Sequence, residues 1–144
     1  MKAASSSLAA YRQNSVATAT PGQLILMLFD GALKFMNYAL QGFESTDIIQ
    51  RNETVHVNLL KTQAIITELQ NSLDHKVGGE FAQTMSDLYD FMRNQLLKAN
   101  MAKKPEPVRD VVGLLADIRS AWASMLQQTE NKVVAGASFV ATAA

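Results

Sequence analysis

The chain has 144 residues, 13 basic against 13 acidic side chains, no cysteine and 48% hydrophobic residues. That length can close one hydrophobic core without staples, and the balanced charge offers no field to favour nucleic acid, an anionic membrane or an acidic substrate. Without thiols there is no disulfide framework, no thiol nucleophile and no thiolate metal site.

Residues 1–19 are rich in Ala, Ser and Thr, with Leu8, Tyr11 and Val16 spaced without a period. They read as an extended or loosely docked arm that carries neither a signal-peptide core nor a membrane span. The expectation is a soluble, cytoplasmic protein. Thr20, Pro21 and Gln23 then form a helix start: a capping hydroxyl, a proline where its missing N–H costs nothing, and an amide three residues on to return the bond. From there to about Glu44 the polar residues Asp30, Lys34, Asn37 and Gln41 keep to one narrow stripe, and apolar residues including Leu24, Phe29, Phe35 and Met36 cover the rest. A helix so apolar around its circumference is expected to sit centrally, with Phe35 largely buried.

After a break at residues 42–47, Ile48, Val55, Leu59, Ile66, Leu69 and Leu73 form an inward stripe of coiled-coil spacing. Gly78 and Gly79 are expected to end that segment, with His75 as a helix-end residue. Phe81, Met85, Leu88, Met92, Leu96 and Ala99 mark a third helix. Pro105 and Pro107 belong at or before the first turn of a fourth, whose stripe is Val108, Val111, Leu115, Ile118, Trp122 and Leu126. Four helices joined by short links predict an all-α antiparallel four-helix bundle over residues 20–130, with the arm before it. The short tail, residues 131–144, either extends the fourth helix or docks weakly.

Little in this pattern is chemistry. Glu53 and His56 make half of a di-iron Glu-x-x-His set, but no second copy or inward glutamate pair completes it. No Ser-His-acid order or glycine-rich phosphate loop is present, and Lys98, Lys103, Lys104 and Arg109 lack the aromatic platform of a nucleic-acid site. No catalytic, cofactor or metal residue is assigned. What remains is surplus apolar surface. Val57, Leu60 and Ala64 on the second helix, Leu97 on the third, and Leu114, Ala121 and Met125 flanking Ile118 on the fourth form ridges that a minimal bundle does not need. They are either ordinary apolar shoulders or the walls of a groove for a partner's amphipathic helix.

The stretch from Tyr11 to Met36 resembles the opening block of the FliS family in Tyr11, Val16, Thr18, Pro21, Leu24, Met27, Leu28, Phe29, Asp30, Gly31, Ala32 and Phe35. Weaker collinear echoes are Arg51-Asn52, Ile65-Ile66 with Leu69, Leu88 to Met92, and Ile118, Arg119, Ala121 and Trp122. The resemblance implies a cytoplasmic, non-enzymatic chaperone that binds the C-terminal segment of flagellin one-to-one, prevents early polymerisation and delivers it to the flagellar export apparatus. It further implies an arm that covers part of the flagellin site, with Tyr11 and Val16 at the corresponding positions. The segment from Lys103 to Pro107 and the tail after Lys132 depart from the family pattern. The competing reading from the residues themselves is a generic helical adaptor or a homodimerising structural protein, and the free chain is a monomer or an arm-exchanged dimer.

Overall fold

Helix α1 (Pro21–Phe43) starts at the capping box read from the sequence. The Gln23 amide N–H donates to Thr20 Oγ1 at 3.2 Å, and the Thr20 N–H donates to Gln23 Oε1 at 3.0 Å. The computed structural model describes residues 18–143, with side chains through residue 131. The arm positions Tyr11 and Val16 therefore lie outside the described residues.

Helix α2 (Ile48–Asn71) is capped by Asp47, whose carboxylate accepts from the Ile49 and Gln50 amides at 2.9 and 3.2 Å. It ends at Ser72, well before the glycine pair. Asp74 caps the next helix in the same way, through Lys76 and Val77 at 3.0 and 3.2 Å, so α3 (His75–Ala102) begins four residues before Gly79. The glycines do not terminate α2; they lie inside α3. Gly79, at φ 52 and ψ −122, breaks α3 after its first turn. Only glycine adopts such a conformation at little cost. Lys103, at φ 52 and ψ 50, ends α3 with its N–H on the Ala99 carbonyl. Pro105 precedes α4 (Glu106–Ala143) and Pro107 lies in its first turn, as the spacing predicts. Of the two alternatives for the tail, the backbone takes the helical one: α4 runs unbroken through Ala143.

Each helix packs mainly on two neighbours, in the ring α1–α2–α3–α4. Links of a few residues make the neighbours antiparallel, which gives a four-helix bundle. The core is Phe29, Met36, Val55, Leu59, Ile66, Leu69, Tyr89, Met92, Leu96, Val108, Val111 and Leu115 with smaller residues between them. Thr62 is the polar member, and its hydroxyl is satisfied by the Asn58 carbonyl at 2.8 Å.

Three expectations about packing are corrected. First, α1 is not central. Ala32, Ala39 and Gly42 lie on its packed side, where α2 and α4 come close, so part of its apolar circumference faces outward and Met27 is 41% exposed. Second, Phe35 is only half-buried and lies outside the core. Its ring makes an edge contact with Tyr38 and lies under Lys34 and Lys61. Third, Ile48 and Phe81 do not point inward. Each sits in the opening turns of its helix, at the end of a seam, and on α3 the neighbouring Ala82 takes the inward position. Trp122 is half-buried against the core rather than enclosed by it.

A candidate apolar groove between α1, α3 and α4

Where α3 begins, it stands away from α4. Ala82 and Ala121 face this gap, and side chains so small leave it unfilled. The result is a groove of about 550 Å³, floored by Ile25 and Phe29 of α1 and walled by Phe81 and Met85 of α3 and by Ala121 and Met125 of α4. Val77, 86% exposed, and Phe81, 67% exposed, stand at its edge. The carboxylate of Asp74, also on the rim, is already engaged by its two backbone amides. The interior is hydrocarbon, thioether and aromatic face. Tyr89 shares this surrounding, and burial pushes its phenol up to about 12.

The α4 side is fastened to α1. Trp122 Nε1 donates to the Gly22 carbonyl at 2.9 Å, and its ring meets Phe29 edge-on at 6.4 Å between centroids. Arg119 Nε donates to Asp30 Oδ1 at 2.8 Å, and that partner holds the guanidinium pKa above its usual value. Gln23 Nε2 reaches Glu130 Oε1 at 3.2 Å. Gly22 lets the helices approach closely here: a Cβ there would lie 2.5 Å from Leu126 Cδ2, so the leucine side chain would have to shift.

Of the residues expected to bind a partner, Ile118, Ala121 and Met125 meet in this groove. Ala64 lines a second hollow of about 580 Å³ between α1 and α2, where Thr67, Glu68 and Asn71 make the wall more polar. Val57 and Leu60 lie exposed on α2, Leu97 is exposed on α3, and Leu114 is half-buried against the core. The eight of these positions that are described therefore do not form one surface. The sequence pattern did not single out Val77, and it placed Phe81 inward. The usable signal was the adjacent glycine pair, which marks a backbone irregularity between those two apolar residues.

Among the described residues, no three His, Cys, Asp or Glu side chains cluster in a way that could hold a metal. His56 Nδ1 instead accepts from the Asn100 amide at 2.9 Å, joining α2 to α3. Lys103 donates to Asn100 Oδ1, and partial burial lowers its ammonium pKa. No helix among the described residues is long and apolar enough to cross a membrane.

A helical bundle with an apolar groove has the shape to seat another chain's amphipathic helix. The family model described as flagellar protein FliS matches residues 4–129. The flagellar secretion chaperone FliS of Bacillus subtilis (strain 168) is 42% identical over 118 residues, covering 82% of this chain and 84% of that one. The FliS chaperone of Salmonella typhimurium is 39% identical over 111 residues, 76% of this chain and 79% of the relative. That of Vibrio cholerae is 31% identical over 133 residues, 90% and 95% of the two chains. The chain belongs to the FliS family. Membership supports a flagellar export chaperone and implies a role without catalysis.

Proposed function

We propose that this chain is a cytoplasmic export chaperone that binds the C-terminal helical region of flagellin, prevents its premature polymerisation and delivers it to the flagellar export apparatus. The observation that carries the reading is the groove, an apolar trough with Ile118, Ala121 and Met125 on α4 and exposed Val77 and Phe81 on its rim, in a member of the FliS family whose relatives are named flagellar secretion chaperones. An amphipathic helix that buries its apolar stripe in such a trough needs shape and hydrocarbon rather than charge, which suits a chain of zero net charge.

Energetics favour tight but reversible capture. Burial of on the order of 1,000 Å² of apolar surface contributes roughly 25 kcal/mol gross, most of which is offset by ordering a disordered segment and by association. Tyr11 and Val16 of the arm, with Val57, Leu60, Ala64, Leu97 and Leu114, complete the proposed contact set. Because the positions on α2, α3 and α4 lie on several faces, they require a partner segment that wraps around the bundle. Mixing the purified chain with flagellin and measuring mass by light scattering tests the reading: a one-to-one complex is expected, and flagellin that polymerises unhindered beside free chaperone contradicts it.

A further inference from the structure

The first turn of α3 is a unit of its own. Asp74 closes it from both sides: its carboxylate accepts from Lys76 and Val77, and its carbonyl accepts from the Gly78 amide at 2.8 Å. One residue, Gly79, joins this turn to the rest of α3, and its φ of 52 with ψ of −122 interrupts the helix there. Nothing crowds Gly79, since a Cβ built on it meets no atom within 4 Å. Glycine is required for conformation and not for space. At Gly78 the reverse holds, because a Cβ would come within 2.9 Å of the Ala82 Cβ, so the turn lies directly against α3. The adjacent glycines therefore divide two tasks, close approach at Gly78 and a positive φ at Gly79.

The turn also forms part of the groove wall. Leu73, Asp74, Val77 and Gly78 line it on one side of the hinge, and Phe81 on the other. Val77 and Phe81 are among the most exposed large apolar side chains of the described residues, although they border an apolar hollow. An apolar pair that straddles a single-residue hinge at the edge of an apolar trough has an energetic reason to move once the trough is filled.

We infer that the Asp74–Gly78 turn is a hinged flap that moves about Gly79 and its Ser72–Leu73 link to α2 to close over a helix lying in the groove, carrying Val77 in towards Phe81 on the fixed side of the hinge. The inference rests on the groove being the flagellin site, as proposed above. The flap converts an open trough into a partly enclosed one, which slows release without requiring the bundle to open. Since Val77 carries most of its surface in water in the free chain, a substitution there leaves folding intact.

The test uses the full chain and a synthetic peptide of flagellin's C-terminal segment. Hydrogen exchange is read at the amides of residues 75–81, free and bound, and dissociation is followed for wild type, Val77→Asp and Gly79→Ala. A hinged flap predicts fast exchange at Val77 and Gly78 in the free chain and protection in the complex. It also predicts release faster by about tenfold or more for Val77→Asp, because a charge would be buried without a partner. Gly79→Ala, which penalises the hinge conformation, should change the release rate while circular dichroism shows the bundle folded. Equal protection with and without peptide, together with wild-type release from folded Val77→Asp, overturns the flap and leaves the groove reading standing. A wild-type chain that binds no peptide overturns both.

Discussion

Two phenylalanines of α1 show why burial has to be read from partners and not from residue type. Phe29 is 2% exposed, packs on the core and meets Trp122, whereas Phe35, six residues on, lies half-buried beneath two lysines. Phe29→Ala should therefore cost about 3–5 kcal/mol of folding stability. Phe35→Ala should cost on the order of 1–2 kcal/mol, from partial burial and exposed cation–π contact. Urea unfolding of both variants checks the ranking, and equal losses would contradict it. Tyr89 provides a pH signature. Its ordinary pKa of 10.0 rises to about 12 on burial, so the folded chain holds the phenolic proton more tightly than the unfolded one. The resulting stability is whole below pH 10 and is lost as pH climbs from 10 towards about 12. Thermal melts across that window should fall more steeply for wild type than for Tyr89→Phe, and parallel curves would show that Tyr89 does not titrate this way.

At the scale of elements, caps and periodicity made most of the fold legible. The Thr20–Gln23 box, the proline punctuation before α4 and the apolar spacings predicted the helices found, because each signal acts within one or two turns. Most of what was not legible depended on contacts between elements. One local signal is masked by another: Asp74 caps α3 through its own carboxylate, as Asp47 caps α2, but the glycine pair beyond it reads as a helix end. Periodicity also cannot tell how far a seam extends, so it turned Ile48 and Phe81 inward at helix ends where no neighbour is packed. The α1–α4 seam yields a prediction that no spacing could offer. Gly22→Val should destabilise the chain by about 1–3 kcal/mol, because its side chain would enter the space of Leu126 and strain the Trp122 bond to the Gly22 carbonyl. Denaturant midpoints decide it, and an unchanged midpoint would mean that α4 shifts freely at that point.

For the whole molecule, the candidate site was legible in part and for a physical reason. Surplus apolar ridges on α4 identified Ile118, Ala121 and Met125, but a ridge on one helix does not reveal which neighbour stands away from it. The same reasoning picked Leu60 and Leu97, which are 48% and 49% exposed and do not line the groove. The arm belongs to this scale too, although its residues lie outside those described. If it covers the flagellin site, it leaves only a fraction of chains open, so deleting residues 2–16 should tighten binding by the reciprocal of that fraction. Weaker binding by the folded deletion would make Tyr11 and Val16 contacts instead.

Whether flagellin occupies the groove walled by α4 is open to one direct measurement. Calorimetric titration of flagellin's C-terminal segment into wild type, Ala121→Asp and Leu60→Asp, all shown to be folded, reads the groove and the outer face of α2 separately. A buried, unpaired carboxylate in the groove should weaken binding by about tenfold or more in Ala121→Asp, and Leu60→Asp should weaken it as well, as a contact of the segment that wraps onto α2. Undiminished binding by folded Ala121→Asp would contradict the groove as the site.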